Sequence, residues 1–259
     1  MNLVNARAGR LQAPLFVLLL LAALLGLGVA GAPAAQAANG DSIRSYRVDY
    51  TLLPDGTLKG RDTIEYSFAP TGERRHGIYA YWTVRRDIEG QSGRYRFYDM
   101  SVDSVSSPSG ASSRYQTRDV DGALRLQIGD SERTVSGTQT YVIDYTVRGV
   151  VNNIGADGKA ATDPSQATSQ EFYVNPVAPY WEAPIGSATV TVTAPAASTG
   201  QRCFVGRLNS SDESRCRVTT SGDTITYTAV GELGNGVGMT VLAGYPANTV
   251  SNAQAIILD

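Results

Sequence analysis

Apolar and polar residues alternate along most of the chain after residue 40, which is the pattern of β-strands rather than helices. Two alternating runs, at 48–52 and 58–68, flank the tripeptide Pro54-Asp55-Gly56. Turn formers between alternating runs predict a β-hairpin. Similar runs recur at 95–97, 124–128, 141–147, 190–192, 225–227 and 241–243.

The same pattern predicts the fold class. After residue 40, no window of eleven or more residues shows a convincing helical period, and the runs are separated by Gly, Pro and Asp turns. Many short strands of this kind are typical of an all-β fold. We therefore expect an antiparallel β-sandwich, immunoglobulin-like or jelly-roll-like. The polar stretch at 152–170 is predicted to be a long loop, either functional or mobile.

The N-terminus has the three parts of a secretory signal peptide. Arg7 and Arg10 precede an apolar run at 13–30, and Ala35-Gln36-Ala37 supplies small residues for cleavage. We predict a signal peptide at 1–37. Because the apolar run is about 18 residues long, an uncleaved membrane anchor is the alternative.

Domain organisation follows from length and hydropathy. The 259 residues allow one large domain or two small ones. We predict a single extracytoplasmic domain at 38–250, with 251–259 as the start of a linker; truncation before a membrane helix would explain why the linker is short. No second apolar stretch of membrane-spanning length follows residue 39.

The net charge and the low counts of His and Cys restrict the classes of partner and metal site that the chain could have. The net charge of −2 becomes −4 once Arg7 and Arg10 leave with the signal peptide, which argues against a nucleic-acid partner. The chain has one His and two Cys, too few for a metal site built on several of these residues. We expect no metal, no cofactor and no nucleic acid. The partner would be a cell-envelope component or another membrane protein, with membrane contact through the signal segment or a missing downstream helix.

The two cysteines predict a disulfide. Cys203 and Cys216 both belong to the exported part, and an oxidising compartment favours pairing. The segment between them is expected to be a hairpin, and closing a loop of about 14 residues would stabilise by roughly 3 kcal/mol. A metal or redox pair is the alternative, but it lacks C-x-x-C spacing or partner ligands.

The segment at 73–99 is unusually rich in arginine and aromatic residues, which together can hold anionic sugars, phosphates or lipid headgroups. Alternatively, the aromatics face the core and the arginines form cross-strand pairs. Trp181 could add a carbohydrate platform or belong to the core. The candidate ligand-binding residues are Arg74, Arg75, Tyr81, Trp82, Arg85, Arg86 and Trp181.

Catalytic residues are hard to find. His76 is a lone imidazole beside a glycine, more typical of a surface or hydrogen-bonding residue than of a general base. Asp62 and Glu65 are three residues apart on a predicted strand, so they point to opposite faces and cannot share a glycosidase site. We therefore predict no catalytic residues.

An ordered series of short motifs resembles a known family, the exported N-terminal domain of the predicted bacterial membrane proteins called domain of unknown function 2207. The resemblance implies an ectodomain followed by membrane helices and no established reaction. Ala80 and Val174 depart from the family pattern, which usually has Arg and Trp there. The matching segments are 46–48, 54–58, 64–68, 76–79, 128–130, 137–145, 181–185, 194–195, 203–206, Cys216 and 242–246.

Three function classes remain open. The first is an extracytoplasmic, membrane-associated, non-enzymatic interaction or sensory domain, secreted or held at the cell membrane. The second is a module that binds an envelope carbohydrate or anionic polymer, which requires Tyr81, Trp82 or Trp181 on an exposed face. The third is a hydrolase that uses paired carboxylates in a cleft.

Overall fold

The described residues fold as β-strands, as the alternation predicts. The computed structural model describes residues 40–71, 74–88, 90–161 and 163–259, so the predicted signal peptide at 1–37 lies outside the described residues. Within these ranges the chain forms seventeen strands, numbered here in chain order, one short 3₁₀-helix at Pro164–Gln166 and no α-helix.

The largest sheet has seven strands and contains the predicted hairpin at Pro54-Asp55-Gly56. The Asp55 carboxylate accepts a hydrogen bond from the Thr57 amide (2.9 Å), and Gly56 takes a positive φ of 85° that favours glycine. In spatial order the strands are β14 (Cys216–Ser221), β15 (Thr224–Ala229), β12 (Ala188–Thr193), β1 (Ser42–Leu52), β2 (Leu58–Phe68), β9 (Gly137–Arg148) and β6 (Asp99–Ser106).

Three smaller sheets complete the fold. The four-stranded sheet has the order β10 (Val151–Gly155), β11 (Ala167–Val177), β16 (Gly238–Pro246) and β13 (Gly200–Gly206). One three-stranded sheet consists of β3 (Gly77–Thr83), β8 (Ala123–Gly129) and β7 (Tyr115–Val120). The other consists of β17 (Ile256–Leu258), β5 (Tyr95–Phe97) and β4 (Arg85–Asp87), so the segment predicted as a linker contributes a strand.

The pairing differs in one place from the purely antiparallel prediction. β1 pairs with β12 in parallel, from Tyr46 opposite Ala188 to Thr51 opposite Thr193, whereas the other named strand pairs of the described residues are antiparallel. A parallel pair needs a long connection, and here the chain from β2 to β11 supplies it. The alternation of apolar and polar residues could not reveal this, because a strand buries every second residue whether its neighbour runs parallel or antiparallel to it.

The core lies between the sheets and is rich in tyrosine. The inner face of the seven-stranded sheet contributes Tyr46, Tyr50 and Tyr145, each no more than 5% exposed. The Tyr50 ring meets Phe172 of the four-stranded sheet at 6.1 Å, and the Tyr145 ring meets Trp82 of β3 at 5.2 Å. One hydrophobic cluster therefore joins the seven-stranded sheet to two of the smaller ones.

In the polar stretch at 152–170, the predicted loop is shorter than expected and lies between β10 and β11, at 156–166. Its ends belong to β10 and β11, which form an antiparallel pair. Gln170 is buried between Asn153 and Val250: its amide nitrogen donates to Asn153 Oδ1 (3.1 Å) and Val250 O (3.0 Å), and its oxygen accepts from Val250 N (2.9 Å). These polar residues are inside the fold because hydrogen bonds compensate their lost hydration.

The disulfide is present, but it does not staple a hairpin. Cys203 and Cys216 are bonded, with their Cα atoms 5.9 Å apart. Cys203 lies on β13 and Cys216 on β14, and these strands pair with β16 and β15, in different sheets. The bond therefore joins the four-stranded sheet to an edge of the seven-stranded sheet.

Candidate functional site

A buried carboxyl group is the most unusual polar feature of the core. Asp62 on β2 is fully buried because it shares the inward parity of Ile64 and Phe68 on the same strand. Tyr46 donates a hydrogen bond to Asp62 Oδ2 and Tyr145 donates one to Oδ1, both at 2.7 Å. The side chain is thus held from the two strands that flank β2, β1 and β9.

The Tyr145 side chain reaches Asp62 because Gly60 leaves space for it. Gly60 lies opposite Tyr50 on β1 and Tyr145 on β9, and a Cβ atom at this position would collide with the Tyr145 ring. The Tyr145 hydroxyl also lies 3.2 Å from that of Tyr50. A strand-interior glycine often marks a close approach of this kind.

The electrostatics of Asp62 follow from its burial. Removal from water raises the pKa of Asp62 to about 7, although the hydrogen bonds from Tyr46 and Tyr145 favour the ionised form. Burial, together with the nearby Asp62 charge, also raises the pKa of both tyrosines well above the usual value, so they remain donors. The indole of Trp82 is buried beside this group, and its contact with the Asp62 carboxyl also favours the ionised form and lowers the pKa.

The space beside this group is small. A cavity of about 40 Å³ is bordered by Tyr50, Trp82 and Tyr145, together with apolar residues such as Met100 and Val147. That volume holds a few water molecules at most. The neighbours of Asp62, rather than Asp62 itself, therefore border this space, which is too small for an organic substrate.

Two of the predicted ligand-binding residues belong to the core. Trp82 and Trp181 are 5% and 6% exposed, so their assignment to a ligand surface is corrected. Trp82 has the inward parity of Ile78 and Ala80 on β3, and Trp181 packs edge-on against Tyr46 with ring centroids 5.7 Å apart. Both rings contribute more by excluding water from the core than they could as exposed platforms.

The predicted arginines do not form one cluster. Arg74 and Arg75 precede β3 and Arg85 and Arg86 follow it, and a strand of seven residues at about 3.3 Å each spans roughly 23 Å. The two arginine pairs therefore lie at opposite ends of a strand, and a single small ligand cannot contact both.

The arginines at the two ends of β3 have separate contacts. Arg75 forms a partly buried ion pair with Asp41, whose carboxylate also accepts a hydrogen bond from the Ala69 amide. At the other end, Arg85 pairs with Asp119 and lies over the Tyr95 ring. Arg86 lies over the Tyr173 ring, and Arg74 is exposed. Arg75, Arg85 and Arg86 thus have partners within the protein, most of them on elements other than the neighbouring strand.

Tyr81 alone among the predicted aromatics faces outward, and it belongs to an ordered surface. The outer face of the β3–β8–β7 sheet carries two cross-strand rows, Tyr79–Gln127–Gln116 and Tyr81–Arg125–Arg118. We call these six residues the Tyr–Arg face. The Arg125 guanidinium lies over the Tyr79 ring at 5.2 Å, and Gln116 donates to Gln127 at 2.9 Å.

The Tyr–Arg face continues into the turn after β11. The exposed Tyr180 ring meets Tyr81 edge-on at 5.8 Å, and Tyr79 is 47% exposed. Tyr79 belongs to the arginine- and aromatic-rich segment at 73–99 that the sequence indicated, although it was not one of the candidate residues; sequence reasoning missed Tyr180 and the β7 and β8 residues. A signal for Arg125 and Gln127 was available, because they alternate with the apolar residues Leu124, Leu126 and Ile128.

The single histidine is held by contacts with the backbone. Nδ1 of His76 lies 3.1 Å from the carbonyl oxygens of Asp130 and Arg133, so its contacts tie together the turn after β8. Among the residues that the structure describes, no group of three or more His, Cys, Asp or Glu side chains could hold a metal ion.

Comparisons with solved structures give weak likenesses. Native leukotriene A4 hydrolase from Saccharomyces cerevisiae matches 79% of this chain and 29% of its own, at 8% identity and a TM-score of 0.47. The M1 zinc metallopeptidase from Deinococcus radiodurans matches 80% of this chain and 43% of its own, at 13% identity and a TM-score of 0.39. The chain thus spans less than half the length of these proteins. No curated protein sequence matches it.

The family comparison is decisive. A family model described as the N-terminal domain of a predicted membrane protein (DUF2207) matches residues 42–245. In the described ranges no helix is long and apolar enough to cross a bilayer. The match covers most of the chain and confirms the resemblance inferred from its motifs. The chain therefore belongs to the DUF2207 family of predicted membrane proteins, and residues 42–245 are its N-terminal domain.

Proposed function

We propose that the chain is an extracytoplasmic, non-enzymatic interaction or sensory domain of a membrane-associated protein, acting on a cell-envelope component or another membrane protein. The observation that carries this proposal is the Cys203–Cys216 bond between two sheets. Such bonds form and persist in oxidising compartments. The family description as a membrane protein and the predicted signal peptide agree with this location.

The proposed architecture is a β-sandwich of the seven- and four-stranded sheets. Three contacts between the sheets support it. The Tyr50 and Phe172 rings are in contact, the Tyr227 hydroxyl donates to Leu242 O (2.8 Å), and the disulfide joins β13 to β14. Two sheets packed through their apolar faces are the usual sandwich arrangement.

A hydrolase has less support. Carboxylate catalysis needs two carboxyl groups about 5–10 Å apart beside a substrate cleft. The carboxyl with the raised pKa, Asp62, has tyrosine partners, and the cavity bordered by its neighbours Trp82 and Tyr145 measures about 40 Å³. Asp41 is engaged separately with Arg75 and Tyr66.

The proposed location can be tested through the cysteines of the full chain in a bacterial host. Cells are treated with a maleimide reagent that adds mass to free thiols. We expect no labelling until a reductant is added, whereas the Cys203→Ala variant, which leaves Cys216 unpaired, is labelled at once. Rapid labelling of the unmodified chain without reductant would place the domain in a reducing compartment and refute the proposal.

A second candidate function is binding of an envelope carbohydrate or anionic polymer. The observation that favours it is the Tyr–Arg face, where exposed tyrosine rings lie beside arginines. The original candidates Trp82 and Trp181 do not take part, since both are buried.

A further inference from the structure

The Tyr–Arg face contains a pair of like charges that the described residues do not neutralise. Arg118 on β7 lies directly opposite Arg125 on β8. Like charges opposite one another destabilise a strand pair. No described carboxylate forms an ion pair with either arginine, although Arg85, Arg114 and Arg148 all have acidic partners.

Other features of the face sharpen this observation. The outward positions of β3, β8 and β7 carry no Asp or Glu. The Nε atom of Arg125 is buried without a hydrogen-bond partner in the described residues, while its guanidinium lies over Tyr79. The arginines are thus arranged by the sheet without a protein counter-charge, and an external anion would complete the site.

The neighbours of the arginine pair indicate which anion fits. The exposed Tyr79 and the half-buried Tyr81 present rings suited to the apolar faces of sugars, and Gln116 and Gln127 present amides suited to hydroxyl groups. The face has no outward aliphatic side chain on β3 that could enter a lipid bilayer. An acidic sugar polymer satisfies the rings, the amides and the arginines together, whereas a bare phosphate uses only the arginines.

We propose that the Tyr–Arg face binds an acidic polysaccharide, with sugar carboxylates held between Arg118 and Arg125 and sugar rings placed on Tyr79 and Tyr81. This proposal deepens the second candidate function and rests on the domain being exported. It gives the face a ligand class, and it places binding on the outer surface of the β3–β8–β7 sheet rather than at the ends of β3.

Binding to polygalacturonate and hyaluronate, with neutral dextran for comparison, tests this. The purified protein should bind the acidic polymers and not dextran, and binding should weaken as NaCl is raised. Because both arginines would make charge-assisted contacts to the polymer, R118Q/R125Q should weaken binding at least tenfold. Y79A/Y81A should also weaken it.

The matched control is R47Q/R217Q, which removes two exposed arginines from other strands and changes the net charge equally. Its affinity should stay within twofold of the parent, and thermal unfolding should show that all variants are folded. The proposal is overturned if the parent binds neither acidic polymer, or if R118Q/R125Q and R47Q/R217Q lose affinity equally. It is also overturned if the parent binds polyglutamate, or vesicles of phosphatidylglycerol, more tightly than the acidic polysaccharides. Because the thiol-labelling experiment does not depend on ligand, a wrong location and a wrong ligand give different results.

Discussion

Asp62 places a carboxyl group in the core, where its described hydrogen-bond partners are tyrosine hydroxyls. Ionising such a group costs more in the folded protein than in water, because the hydroxyls replace only part of its hydration. Its pKa is raised to about 7 in the fold, against roughly 3.9 in an unfolded chain. The folded state therefore holds an extra proton between these values, and stability falls as pH rises through that interval.

Asp62→Asn should remove this pH dependence. Each unit of raised pKa corresponds to about 1.4 kcal/mol, so the unmodified protein should lose on the order of 4 kcal/mol between pH 4 and pH 8. The variant should lose much less, and at pH 8 it should be the more stable protein. Urea unfolding at four pH values across this interval measures the difference.

Asp144→Asn is the matched control. Asp144 lies on β9 and pairs with Arg61 on the outer face of the sheet, and its hydrogen bond from Arg61 lowers its pKa. Because a lowered pKa stabilises the fold above the unfolded value, this variant should be slightly less stable at neutral pH, by less than about 1 kcal/mol for an exposed pair. An unchanged pH slope in Asp62→Asn would show that another group causes it.

At the scale of single residues, the sequence predicts which side chains of a strand share a face better than it predicts which face is buried. Alternation shows that Tyr81 and Trp82 face opposite sides of β3, but only packing decides which side is the core. The parity of Asp62 with Ile64 was visible in the sequence, yet a carboxylate is expected to face water. Its burial depends on Tyr46 and Tyr145, which come from two other strands and cannot be located by spacing alone.

At the scale of elements, Gly60 on β2 makes room for a neighbouring ring because it has no side chain. It lies between Tyr50 and Tyr145 on the inner face of the sheet, and the Tyr145 ring occupies the space over it. The hydrogen bonds of Tyr145 to Asp62 and Tyr50 depend on that position. The tyrosine cluster and the glycine are therefore one packing unit.

Gly60→Ala should destabilise the domain by about 1–3 kcal/mol, the usual cost of overpacking a core. Gly200→Ala on β13 is the control, because a Cβ atom there meets nothing within 4 Å. Thermal unfolding at pH 6 compares the two. Equal melting temperatures would mean that the Tyr145 ring can move aside without cost.

Also at the scale of elements, the loop predicted at 152–170 is too long at both ends, because residues 152–155 and 167–170 belong to strands. Low hydrophobicity is typical of loops, but Gln170 is buried through hydrogen bonds to Asn153 and Val250. Hairpins with a strong local turn, such as Pro54-Asp55-Gly56, could be predicted because their signal lies within a few residues. The partner of Gln170 is 80 residues away, so its burial could not be read from local composition.

At the scale of the molecule, the disulfide should contribute to stability by holding two sheets together. The chain-entropy model gives roughly 3 kcal/mol for a loop of this length. C203A/C216A should therefore melt roughly 6–12 °C below the parent, given about 2–4 °C per kcal/mol for a domain of this size. Dithiothreitol should lower the parent's melting temperature and leave the variant's unchanged; no effect on the parent would contradict the prediction.

The parallel pair of β1 and β12 constrains the order in which the protein can be assembled. β2 follows β1 after a short turn, but the first residue of β12 that pairs with β1, Ala188, lies roughly 140 residues beyond its partner Tyr46, and such distant pairings form slowly. If the chain crosses a membrane N-terminus first, one edge of β1 stays open until residue 193 has emerged. An open edge is a template for unwanted pairing. A nascent chain halted before that point would therefore expose an incomplete sheet, and the arrival of β12 would govern how quickly that edge is closed.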